Sequence, residues 1–178
     1  LPVGVYAKDV ILYVIGSVKA DFGVYKAVEF TGPVVKELSI SERMALCNMS
    51  TEMGCKAAYI QPDEVTFAYL KEHGITDYTV YETDPDYIYD ADLTYDVKQL
   101  TPQVAVPFSV DNVFPIVNEE GIPVNQAYLG SCTGGRTPDF AIAAKILKGK
   151  HIAEGTRMIL VPASKKVLEE CMLYQDTS

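Results

Sequence analysis

Two apolar stretches, Gln126–Leu129 and Arg157–Val161, flank a stretch with helical spacing from Pro138 to about Leu147. This order limits the fold more than any other feature of the chain. Strands joined through a helix lie parallel in one sheet, linked by a right-handed crossover. The turn that leaves the first strand then stands at the carboxyl edge of the sheet, where open α/β sheets bind ligands. A closing helix is expected from Ala163 to about Tyr174, which completes a β-turn-α-β-α unit.

The turn reads Gly130-Ser131-Cys132-Thr133-Gly134-Gly135-Arg136, with Pro138-Asp139 opening the helix. Glycines allow a bulky group or a carboxylate to come close to the main chain. A helix N-terminus favours the thiolate form of Cys132, and the guanidinium of Arg136 matches a carboxylate with two donors. Three roles fit this pattern: a metal-ligand thiolate, a nucleophilic cysteine, or a small residue in an anion-binding turn. No histidine stands near in sequence, which weakens the nucleophile.

The 178 residues are enough for one large domain or two small ones, and 48% are hydrophobic, so a core is expected. Acidic residues outnumber basic ones by nine. That field repels phosphate backbones and anionic headgroups, so neither nucleic acid nor membrane is an expected partner. The longest apolar run, Val10–Ile15, is far too short to span a bilayer. A soluble, cytoplasmic protein is expected. Cys47, Cys55, Cys132 and Cys171 are widely and irregularly spaced and read as thiols. With only His73 and His151, a self-contained zinc site or histidine triad is hard to assemble.

The amino-terminal part alternates in the same way. Ala7–Lys19 has helical spacing, Val24–Phe30 is strand-like, and Ser41–Met53 is helical, with Ser39 or Ser41 as its cap. Ala57–Ile60 reads as a strand, and Gln61-Pro62-Asp63-Glu64 opens a helix that reaches about Lys71 and ends at Gly74. From Asp77 the pattern gives way to a tyrosine- and aspartate-rich stretch with no clear period. The expected division is an α/β domain over 1–76, a connecting segment over 77–112 and a partial α/β domain over 113–178. The rings of the connecting segment either pack on a neighbouring surface or form an aromatic ligand platform.

The stretch Tyr128–Arg136, followed by Ala143-Ala144-Lys145-Ile146-Leu147-Lys148-Gly149, resembles the large-subunit signature of isopropylmalate isomerases and homoaconitases, in the aconitase superfamily. Independent stretches agree, in the same order: Ala7–Leu12, Glu29-Phe30-Thr31-Gly32, Leu46–Gly54 and Gln61–Phe67. The closing Leu160-Val161-Pro162-Ala163-Ser164 agrees as well. The likeness is weakest over Asp77–Asn112. It implies an α/β fold of two α/β/α pieces with mainly parallel sheets, like the central domains of the aconitase fold.

The resemblance also implies chemistry. It makes Cys132 one of three metal ligands of a 4Fe–4S cluster whose open iron is a Lewis acid. It turns Asn48 and Glu52 toward the active site, with Glu52 hydrogen-bonding a catalytic histidine of an earlier domain. Spacing alone reads that pair as a polar face of one helix, four residues apart. Arg136 is expected to help bind a substrate carboxylate. The implied activity is a hydro-lyase of the 3-isopropylmalate dehydratase kind in leucine biosynthesis. Such an enzyme isomerises a 2-hydroxy di- or tricarboxylic acid by dehydration and rehydration, with a separate small subunit carrying a mobile domain.

This sequence departs from the family pattern in two ways. Gly134 stands where the family turn usually has Asn, and the other two ligand cysteines belong to a downstream CxxC that these residues do not contain. The chain is therefore expected to be a catalytically silent piece, cut at both ends, with no cluster bound. The alternative is a stand-alone domain of the same fold that binds a small anion without a cluster.

Overall fold

Ala7, Ile11, Leu12 and Ile15 recur at helical spacing, and in the computed structural model they form the buried side of helix α1, Ala7–Val18. The structure describes residues 1–173. The Asp9 carboxylate accepts the Tyr6 N–H at 2.8 Å and fixes the first turn of α1. The chain reverses at Lys19, φ +74°, so the expected helix Ala7–Lys19 ends one residue early.

The chain divides into two units, Leu1–Glu119 and residues from Glu120 onward. In the first unit α1 is followed by β1, Ala27–Glu29; α2, Pro33–Glu37; α3, Ile40–Met49; β2, Ala57–Tyr59; and α4, Glu64–Glu72. Then come β3, Gln103–Ala105, and β4, Val113–Pro115. β1 and β2 pair in parallel from Ala27↔Ala57 to Glu29↔Tyr59, and β3 and β4 pair antiparallel. The strand expected over Val24–Phe30 is thus reduced to three residues. Val24 makes only an isolated antiparallel bridge to Cys55, because Tyr25 turns away at φ +64°.

The core of this unit is Ala7, Ile11, Leu12 and Ile15 of α1 packed with Leu38, Leu46, Met49, Met53 and Cys55. Each fully buried Leu or Ile contributes about 1.5–3 kcal/mol. Ser39 caps α3: its Oγ accepts the Glu42 N–H at 3.4 Å, and the Glu42 carboxylate accepts the Ser39 N–H at 3.0 Å. The expected helix Ser41–Met53 is split. α3 stops at Met49, a 3₁₀ turn runs Ser50–Met53, and Gly54 closes it at φ +86°.

An ion pair with a buried guanidinium ties the segments before and after α3. Arg43, 4% exposed, donates to Asp63 at 2.6 and 2.8 Å and to the carbonyls of Leu38 and Lys36, each at 3.0 Å. Asp63 also caps α4 by accepting the Val65 N–H at 3.1 Å. Residues 75–102 contain no helix or strand. β3, inside the expected connecting segment, and β4 pack on α1, which is why the first unit extends to Glu119.

In the second unit β5, Gln126–Gly130, leads through α5, Ser131–Gly134, into α6, Thr137–Leu147. β6, Arg157–Val161, and α7, Lys165–Leu173, follow. β5 and β6 are parallel, from Gln126↔Arg157 to Gly130↔Val161, and α6 packs on α7. Tyr174, the expected end of the last helix, lies outside the described residues. Among the described residues two of the three strand pairings are parallel, giving an α/β fold with mainly parallel sheets.

Candidate functional site

The turn around Cys132 exists because two glycines let it approach the end of β6. A β-carbon on Gly130 would stand 2.6 Å from the Val161 carbonyl oxygen, and one on Gly135 would stand 2.6 Å from Ser131 O and 2.8 Å from Val161 O. The Gly135 carbonyl accepts the Ala163 N–H at 2.8 Å, fastening the turn to the segment after β6. Between these glycines Ser131 is held at φ +74°, a left-handed conformation that costs a non-glycine residue about 1–2 kcal/mol. Strain of this kind persists only where the surroundings enforce it.

Cys132 follows the strained residue and is exposed, whereas Gly134 and Gly135 are buried beneath it. The other cysteines differ. Cys55 is buried and Cys47 and Cys171 are half-buried, and burial pushes all three thiols up, with Glu170 adding to the effect at Cys171. They are poor thiolates, and Cys132 is the one cysteine presented to solvent among the four. Arg136 is partly buried. Its backbone N–H donates to Asp139 at 2.9 Å, and its buried Nε has no hydrogen-bond partner among the described residues. A buried donor without an acceptor is costly, so this guanidinium suits an anionic partner.

The second candidate pair lies in the first unit. Asn48 is exposed in the last turn of α3, and its carbonyl accepts the Thr51 hydroxyl at 3.0 Å. Glu52 is exposed in the 3₁₀ turn. The single α-helix expected to carry both is split between them, with Asn48 in α3 and Glu52 in the 3₁₀ turn. A 3₁₀ residue turns about 120° against about 100° in an α-helix, so residues four apart diverge by more than the α-helical offset. Asn48 and Glu52 belong to one unit, Cys132 and Arg136 to the other.

Sequence reading missed the strain at Ser131 and the orphaned Nε of Arg136. The flanking glycines were the visible signal for the first; nothing in the sequence marks the second. Among the described residues no group of three or more His, Cys, Asp or Glu is placed to hold a metal ion. Nor is any described helix long and apolar enough to cross a membrane.

Comparison with known proteins matches both units. The model of the aconitase family (aconitate hydratase) covers residues 1–120 and 117–173. The chain is 50% identical to the 3-isopropylmalate dehydratase large subunit 1 of Methanopyrus kandleri, over 94% of this chain and 40% of that protein. It is 46% identical to a probable methanogen homoaconitase large subunit of Methanosarcina mazei, over 92% of this chain and 41% of the relative. It is 44% identical to the 3-isopropylmalate dehydratase large subunit of Geobacter metallireducens, over 97% and 43%. The chain thus spans about two fifths of the length of these curated relatives. With the strained cysteine turn in one unit, the Asn48–Glu52 segment in the other and the family's sequence pattern running through both, this chain belongs to the aconitase family.

Proposed function

We propose that this chain is part of the large subunit of an iron–sulfur hydro-lyase that isomerises a 2-hydroxy di- or tricarboxylic acid, as the names of its relatives suggest. The observation that carries the reading is the Cys132 turn: an exposed thiol after a strained residue, closed by two glycines that admit no side chain. The family implies a 4Fe–4S cluster in the intact enzyme. The described residues do not fit that group by themselves, because they bring no second thiol to Cys132 and no ligand cluster, and one thiolate does not hold four irons. Cys132 is therefore one ligand of a set completed by parts of the enzyme that this chain does not span.

The remaining roles fall to this chain's own side chains. Glu52 and Asn48, both exposed, are free to meet an acid–base group and a substrate from another part of the enzyme. Arg136, with its unsatisfied Nε, is suited to a substrate carboxylate. The relatives' designation as large subunits supports a smaller partner subunit. Four free cysteines agree with a cytoplasmic setting.

The test is anaerobic iron–sulfide reconstitution of the intact protein and of its Cys132→Ser variant, followed by iron counting and visible absorption. We expect about four irons per chain in the parent and loss of the cluster band in the variant, with isomerase activity lost alongside. An intact protein that takes up no iron, or a variant that keeps its cluster, would refute the assignment and leave an anion-binding domain of the same fold.

A further inference from the structure

The tyrosine- and aspartate-rich segment rests on the first unit through very few contacts, and these converge. Of residues 77–94 every one is exposed except Thr83. Thr83 donates its hydroxyl to one carboxylate oxygen of Glu29 at 2.7 Å, and the Tyr89 hydroxyl donates to the other. Glu29 is the last residue of β1, so one side chain of the sheet holds the segment at two points six residues apart. Its neighbours add lesser ties. The Tyr59 hydroxyl donates to the Tyr81 carbonyl, Tyr78 stacks on Phe67 with centroids 6.0 Å apart, and Lys26 pairs with Asp90 at 3.3 Å. The Lys26–Asp90 pair is exposed on both sides and holds little.

Beyond the segment the chain is anchored differently. Val97 is buried and Tyr95 packs edge-on against Tyr13 at 5.8 Å. On the other side α4 ends at Glu72, and Gly74 follows at φ +70°. The stretch between is anchored at both ends, has no fully buried residue and gathers its hydrogen bonds to a carboxylate of the sheet on one acceptor. Segments with few buried apolar contacts open below the cost of global unfolding.

We propose that residues 77–92 form a strap that opens as a unit, and that Glu29 is its latch. Opening frees both oxygens of Glu29 together with Tyr59, its register partner on β2, and uncovers the face of Phe67. The proposal concerns the first unit alone and does not depend on the cluster chemistry.

The test is native-state proteolysis of the intact protein with chymotrypsin, cut sites being mapped by mass spectrometry. Three proteins are compared: the parent, Glu29→Ala, and a double variant, Thr83→Val with Tyr89→Phe, that leaves β1 untouched. When opening is fast relative to cleavage, the cleavage rate follows the open population. Loss of two hydrogen bonds to a carboxylate should raise cleavage between Tyr78 and Tyr89 by about tenfold or more in both variants. The thermal midpoint should stay at the parent value. Unchanged cleavage in the double variant overturns the latch. A fall of the whole unit's thermal midpoint in the double variant overturns the strap, since the segment would then be integral to the fold.

Discussion

Asp63 does two jobs with one carboxylate: it caps α4 and it neutralises the buried guanidinium of Arg43. The hydrogen bond from Arg43 is the main reason its carboxyl is held below the usual range. A carboxyl lowered on folding stabilises fully above its unfolded value, about 3.9, and loses that contribution as pH falls through the lowered folded value. Asp63→Asn keeps the shape but strips the charge and leaves Arg43 without its counterion. The expected cost at pH 7 is about 2–3 kcal/mol, less than a fully buried pair because Asp63 is partly exposed. Urea midpoints of parent and variant should converge between about pH 4 and lower pH, where the parent carboxylate also takes a proton. A gap that stays constant with pH would show that the ion pair is not the cause. Arg43 and Asp63 are twenty residues apart, and no local pattern announces their meeting. The Cys132 turn was readable because its cysteine, glycines and following helix are contiguous.

Among elements, the longer helices and the strands β1 and β2 were legible, and β3 and β4 were not. α1, α4 and α6 carry enough turns for apolar spacing and caps to show, whereas β1, β2, β3 and β4 are three residues each. Three residues give no alternation to read; β1 and β2 still fall inside the expected strands Val24–Phe30 and Ala57–Ile60, whereas β3 lies inside the expected connecting segment. The break in α3 was likewise invisible, because Ser50, Thr51 and Glu52 are tolerated in either kind of helix. What fixes the 3₁₀ turn is its ending. Gly54 sits at φ +86°, a β-carbon there would lie 3.0 Å from the Ala20 carbonyl oxygen, and the Met53 carbonyl accepts the Gly23 N–H at 2.7 Å. Gly54→Ala should cost about 1–3 kcal/mol, from the conformation and the close approach together. Chemical denaturation measures the loss. On the proposed function Glu52, two residues before Gly54, acts in catalysis, so isomerase activity of the intact protein should fall further than the folded fraction. Activity tracking the folded fraction alone would separate Glu52 from catalysis.

At the scale of the whole chain, burial is unequal. The apolar cluster belongs to the first unit, running from Ala7 to Cys55 with Ala105, Val110 and Val113 packed against it. In the second unit the buried residues among those described are Gly130, Gly134 and Gly135, none of which has an apolar side chain. Tyr128 and Leu160, on neighbouring strands of a parallel pair, are each 55% exposed. Parallel strands are found almost only in sheets covered on both faces, and two strands alone are marginal. The β5–β6 pair is therefore marginal by itself. Amide exchange in β5, β6 and α6 should be fast in the 178-residue chain alone, while α1 and α3 stay protected. In the intact protein the same amides should slow by about a hundredfold, the effect of covering two large apolar side chains. Equal protection of β5 and α1 in the isolated chain would mean that the second unit is held by its own backbone and turn geometry. In that case the closely packed Gly130–Arg136 turn, and not burial of the sheet, would be its source of stability.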